Sequence, residues 1–288
     1  MFKKISILIA VLFVIYGCGN KEVKKNTGFT FTSMHRPVRI ISTVPSNTEI
    51  LFALGLGDRI VGVTSQCNYP PAAKKIQKIG GANLNAEKII ALNPDLVLML
   101  GDAQMNDIER LRCFQLPVFV INPRDLNGLI SSIRLIGKIT GSQKEAEALA
   151  KKISDDMRRV SLLKRAAARP KVFVVLWDDP LITAGKGTFI DNLITAAGGK
   201  NIASGMKGKY PIMSLETLIE EDPDYLVIAG KSKDDIKKLK DRNAWKLLKA
   251  VKENKILLID SDIITRPSPR LITALDLISG FIRHQEAK

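Results

Sequence analysis

The segment Glu87-Lys88-Ile89-Ile90-Ala91-Leu92-Asn93-Pro94-Asp95-Leu96-Val97 returns 129 residues later as Glu216-Thr217-Leu218-Ile219-Glu220-Glu221-Asp222-Pro223-Asp224-Tyr225-Leu226. The acid, the isoleucine three residues on, the Pro-Asp pair and the apolar residues behind it keep one register. An acid at a helix start complements the positive end of the helix dipole. A proline ends the helix, and an apolar run without polar alternation reads as a strand buried on both faces. Pro-Asp alone is common punctuation between helix and strand. The shared register of the other members makes it an internal repeat, and the repeat predicts two similar α/β lobes.

Working outward from the first copy, β-rich runs at 39–44, 59–64, 95–100 and 118–121 alternate with helical patterns at 48–56, 84–92 and 107–114. The turn Pro45-Ser46-Asn47 is expected between the first strand and helix. Residues 126–168 give no strand signal and read as helix, broken near Thr140-Gly141-Ser142. Alternation then restarts, with strands at 171–176, 225–229 and 256–260 and helices at 188–196, 215–221, 234–249 and 269–284. Strands alternating with helices imply parallel sheets covered on both faces. The expected fold class is therefore α/β: two Rossmann-like lobes with mostly parallel sheets, residues 38–125 and 169–288, joined by a long helical bridge, 126–168. Ligands of such sheets sit beyond the carboxyl ends of the strands, where loops converge. Two facing lobes make a cleft lined by both sets of loops.

Residues 1–18 carry Lys3-Lys4, an apolar run from Ile5 to Tyr16, then Gly17-Cys18. A charged start, a short apolar core and a small residue describe a secretory signal. Ile15-Tyr16-Gly17-Cys18 resembles a bacterial lipobox, which makes Cys18 the candidate lipidation site, with an uncleaved anchor as the alternative. Either way the chain is held extracytoplasmically at a membrane, in a periplasm or on a cell surface. Residues 19–37 are polar and aperiodic, as in a flexible tether. With Cys18 acylated, Cys67 and Cys113 are left, either as one disulfide or as two buried thiols.

Forty-four basic against 29 acidic residues give a formal charge of +15. The lysines are spread over helical stretches and are not gathered with aromatics into a stacking platform, so no nucleic-acid partner is expected. The two histidines, His35 and His284, lie outside the expected cleft, which argues against a zinc or manganese site. No Gly-x-Ser-x-Gly elbow and no Gly-x-x-x-x-Gly-Lys-Ser/Thr loop is present. Ala184-Gly185-Lys186-Gly187-Thr188 has the wrong spacing for a phosphate cradle. A non-enzymatic binding protein is the leading expectation. A surface-anchored α/β enzyme and a non-transport lipoprotein are the alternatives.

Val44-Pro45-Ser46-Asn47-Thr48-Glu49, Gly62-Val63-Thr64, Cys67-Asn68-Tyr69-Pro70-Pro71, Ile79-Gly80-Gly81, the 87–97 segment and Arg266-Pro267-Ser268-Pro269-Arg270 follow one another in a familiar order. From about Arg39 onward the chain resembles the class III solute-binding proteins of iron-siderophore, haem and cobalamin uptake. The resemblance implies a monomeric clamp without catalysis or cofactor. It would deliver a metal chelate to the permease dimer of an ABC importer and its ATPase.

Glu87 and Glu216 match the acids that dock on permease arginines, and a repeat-related pair suits a two-fold partner. The alternative is dipole complementation alone, about 0.3–1 kcal/mol each. The candidate ligand contacts are Ser46, Asn47, Gln66, Tyr69 and Gly81 in the first lobe and Trp177, Tyr210, Asp262 and Arg266 in the second. Trp177 reads as an aromatic wall or as a core residue under a loop. Tyr210, Asp262 and Arg266 match ligand-lining positions of the family's cobalamin-binding member. Tyr210 could equally serve a Tyr-Pro turn, and Arg266 could instead close its loop by a salt bridge. Gln66, Gly81 and Leu100 replace bulky aromatics of that member. Gly80 stands where haem-binding relatives place an iron-ligating tyrosine, which leaves haem the least supported ligand. Cobalamin, another corrinoid or a ferric siderophore stays open.

Overall fold

A computed structural model describes residues 36–101, 104–162 and 169–286. Expectations for the signal segment, Cys18, His35 and most of the tether fall outside the described residues.

In chain order the strands are β1 (Ile40–Ser42), β2 (Ile60–Val63), β3 (Leu96–Leu100), β4 (Val118–Ile121), β5 (Lys171–Val175), β6 (Trp177–Asp178), β7 (Leu181–Ile182), β8 (Lys200–Asn201), β9 (Tyr225–Gly230) and β10 (Ile256–Asp260). The helices are α1 (Pro45–Ala53), α2 (Ala86–Ala91), α3 (Met105–Cys113), α4 (Leu126–Thr140), α5 (Gln143–Leu162), α6 (Phe189–Ala196), α7 (Leu215–Glu221), α8 (Lys233–Asp241), α9 (Lys249–Lys252), α10 (Ser261–Ile264) and α11 (Leu271–Glu286).

Two four-stranded sheets run in the orders β2-β1-β3-β4 and β10-β9-β5-β8, with every pairing in them parallel. Read from each lobe's first strand, the two orders are the same, so the duplication extends to topology. The repeat is equally visible in side chains. Asn85 and Ser214, also 129 apart, cap α2 and α7 by accepting from Lys88 N and Thr217 N. Asn93 (φ 42°) and Asp222 (φ 39°) both end their helices in the left-handed region, where Asn and Asp are tolerated. Asp95 then accepts from the backbone of Val38 and Arg39 at the entry to β1, and Asp224 accepts from Lys171 N at the entry to β5. Arg39 and Lys171 complete the set by donating to the carbonyls of Leu92 and Glu221 at the helix ends. Each Pro-Asp element is thus a helix stop and a strand anchor at once.

Two local expectations are corrected. Pro45-Ser46-Asn47 is not a turn before the first helix but its first turn, with Pro45 at a position where the missing N–H costs nothing. The helix expected over 234–249 stops at Asp241, a 3₁₀ turn follows over Trp245–Leu247, and α9 is separate. Buried Trp245 and Leu248 hold this break against the outer face of the second sheet.

Alternation along the strands splits the apolar residues between two layers. Ile40, Leu96 and Leu98 of the first sheet, with Val172, Val174 and Val227 of the second, join α4, α5, α6 and α11 in one continuous core. Ile41, Val97 and Met99 face a separate layer of the first lobe, and Phe173, Val175, Leu226 and Ile228 face one of the second. Between the sheets, α4 and α5 fold back on each other at Gly141 (φ 75°). Gly137 lies against Ala146, where a Cβ would approach to 2.3 Å, and Arg134 pairs with Glu147 across the hairpin. All described residues belong to one unit, Phe31–Lys288.

Candidate ligand-binding site

The crevices at which strand order reverses, β1/β3 and β5/β9, are where open α/β sheets take ligands. At the first, Gln104 bridges the two strand ends. Gln104 Oε1 accepts from Thr43 Oγ1 at 2.6 Å and from Leu100 N at 3.1 Å. The second opens into a cavity of about 470 Å³ floored by Val175, Ile228 and Leu239 and walled by Trp177 and Lys238. A second cavity, about 330 Å³, is lined from the first lobe by Leu100, Asn122, Pro123 and Arg124. From the other lobe it is lined by the start of α6, Tyr210, Ile264 and Pro267. It lies between the lobes.

A band of apolar side chains accompanies the cavities. Trp177 stands opposite Ile182 in the β6–β7 pair, and Ile182 is bridged to Ile212. Residues directly opposite in a sheet project from one face. Trp177 is 60% exposed and Ile212 63% exposed, so Trp177 is not a core residue. Its indole N–H is fixed on Asp179 O at 2.8 Å. Tyr210, two residues before Ile212, lines the inter-lobe cavity, and partial burial pushes its phenol pKa up. Sequence reading missed Ile182 and Ile212. The alternation of Tyr210 and Ile212 about Pro211 was the available signal.

The other second-lobe candidates are engaged across the lobe boundary. Arg266 Nη1 donates to Glu49 Oε1 at 3.0 Å and to Asn68 Oδ1 at 2.8 Å, and its Nη2 pairs with Asp262 at 2.7 Å. Arg270 grips the same Glu49 carboxylate with Nε at 2.8 Å and Nη2 at 2.6 Å. Asn68 Nδ2 donates to Asp262 at 3.0 Å, and the Arg270 guanidinium lies 4.1 Å from the centre of the Tyr69 ring. Burial raises the Asp262 carboxyl, but Lys231, Asn68 and Arg266 outweigh it and hold it below the ordinary aspartate range. The Glu49 side chain is only 2% exposed. Thr265 and Pro267, on either side of Arg266, line the inter-lobe cavity. The cluster therefore lies immediately behind the cavity wall.

In the first lobe, Ser46 and Asn47 are buried in the opening turn of α1, and neither polar atom of the Asn47 carboxamide has a protein partner. Gln66 and Tyr69 are exposed, and Gly81 is half-buried. Gly80 has φ 126°, and a Cβ there would meet Asn83 O at 2.3 Å. No side chain fits that position. Cys67 is a buried free thiol against Thr48 and Thr64, so it is not bridged to Cys113. Glu87 and Glu216 are both exposed in the first turns of α2 and α7. Among the described residues, no three His, Cys, Asp or Glu side chains gather into a metal site, and no helix is long and apolar enough to cross a membrane.

A family model described as periplasmic binding protein matches residues 40–263. The chain belongs to the periplasmic binding protein family. An uncharacterised ABC transporter substrate-binding lipoprotein of Bacillus subtilis is 31% identical over 300 residues, covering 96% of this chain and 95% of that one. The vitamin B12-binding protein of Pectobacterium carotovorum is 28% identical over 246 residues, covering 84% and 87%. The crystal structure of a possible iron-binding, periplasmic solute-binding protein from Staphylococcus epidermidis superposes with a TM-score of 0.74 at 31% identity, over 86% of this chain and 99% of that one. The family member described here is accordingly an extracytoplasmic solute-binding protein and not an enzyme. Substrate-binding proteins of this kind serve a permease and its ATPase.

Proposed function

We propose that this chain captures a metal chelate with a broad apolar face, foremost a corrinoid, between its lobes and delivers it to an ABC importer. The observation that carries the reading is an apolar band of exposed Trp177, Ile212 and Tyr210 with half-buried Ile182, in which Trp177 walls the second-lobe cavity and Tyr210 lines the inter-lobe cavity. Aromatic and aliphatic surface left bare at converging strand ends favours a flat ligand that stacks. Cobalamin binding by relatives at 28% and 30% identity supports it. The backbone at Gly80 opposes a haem ligated from that position, because no tyrosine can stand there. A ferric siderophore is the second reading, favoured by the small or polar first-lobe loops at Gln66 and Gly81.

Cys18 is read as the lipid anchor and Glu87 with Glu216 as the contacts to the permease. The ligand test is a thermal-shift and tryptophan-fluorescence titration with cyanocobalamin, cobinamide and ferric hydroxamate and catecholate chelates. A saturating corrinoid at a hundredfold excess over Kd adds about 2.7 kcal/mol of stability. Trp177→Ala weakens that binding about tenfold or more. Stabilisation by none of the chelates rejects the reading.

A further inference from the structure

Glu49 is a buried carboxylate paired with two arginines of the opposite lobe, 217 and 221 residues away. Among the described residues, its side-chain donors all belong to the second lobe, so its compensation depends on where that lobe sits. Its three close contacts occupy both oxygens: Oε1 accepts from Arg266 and Arg270, and Oε2 accepts from Arg270. Around this centre Asn68 ties Arg266 and Asp262 to the first lobe, Tyr69 stacks on Arg270, and Lys231 holds Asp262 from behind.

We infer that Glu49 is a positioning residue that pins the lobes at one separation and so sets the aperture of the ligand cavity. Parting the lobes here strands a buried anion and takes from Arg270 its counter-ion, while Arg266 keeps only Asp262. That cost is steep because pairing is what offsets desolvation of a buried charge. Bidentate Arg–carboxylate geometry adds direction as well as attraction, which a point charge would not. The cavity wall formed by Thr265 and Pro267 is carried on the same loop, so the pin and the aperture move together. The consequence for delivery, a fixed spacing of Glu87 from Glu216, rests on the docking reading above; the test does not.

The test measures inter-lobe distance in the ligand-free protein. Nitroxides are attached through a ketone-bearing residue at positions 88 and 217, which are exposed and repeat-related, and read by pulsed dipolar spectroscopy. Wild type should give one narrow distribution. Glu49→Gln keeps the shape but removes the charge, leaving Arg266 and Arg270 to repel. It should lengthen or broaden the distribution by several ångström. Arg270→Gln should act in the same direction, and the double variant should add little to either single one, because the residues share one interaction. If Glu49→Gln does not fold, Arg270→Lys and Asn68→Ala weaken the cluster without unpairing the carboxylate completely and should still broaden the distribution. A lowered Tm with unchanged distance distributions would show that the cluster serves local packing only, and would overturn the inference.

Discussion

At the scale of single residues, the cross-lobe cluster makes a pH prediction. The Asp262 carboxyl is depressed in the folded protein by Lys231, Asn68 and Arg266 acting against its burial. A depressed folded pKa means that its stabilisation is complete above the unfolded value of about 3.9 and is lost as pH falls through the lower folded value. Acid titration followed by circular dichroism should therefore show a limb below about pH 4 that is shallower in Asp262→Asn. An identical limb would assign the acid sensitivity to other carboxylates. This cluster was only half legible in the sequence. Asp262 and Arg266 were readable as a pair four residues apart on one loop. Glu49 was not, since nothing local distinguishes an acid in an apolar helix from a solvated one. Its partners lie more than two hundred residues away, and only the fold brings them together.

At the scale of elements, the Pro-Asp repeat was the most legible feature, because its work is local. Helix stop, left-handed residue and strand anchor are consecutive, so their chemistry is written consecutively. The structure adds the recipients: Asp95 holds the entry to β1, and Asp224 holds the entry to β5 while pairing with Lys249. Asp95→Ala and Asp224→Ala should each cost about 1–3 kcal/mol, the price of strand-entry N–H groups left without an acceptor. A lowered urea midpoint with unchanged slope would register this. A midpoint unmoved in both variants would mean that water replaces the carboxylates. The elements missed by pattern were the short ones. β8 is two residues, Lys200–Asn201, too brief for alternation to show. β6 and β7 are also two residues each and straddle Asp179-Pro180. The break after Asp241 was hidden because Lys-rich helix-favouring sequence continues through it. There the packing of Trp245 overrides propensity.

At the scale of the whole molecule, the proposed docking role of Glu87 and Glu216 has one partner contacted twice in the same way. Glu87→Arg combined with Glu216→Arg should abolish transport in whole cells while leaving chelate affinity of the purified protein unchanged, because both side chains are exposed and away from the cavity linings. Either single reversal should give a partial loss. Full uptake by the double variant would leave these acids with helix-dipole complementation alone.

The continuous core has a bearing on how such a chain matures. Ile40 near its beginning and Ile282 near its end belong to the same apolar cluster, and α11 supplies Leu271, Leu275 and Ile278 to it as well. The interior therefore cannot be completed until the final sixteen-residue helix, α11, is in place. Until then it leaves a greasy seam open along α5 and α6.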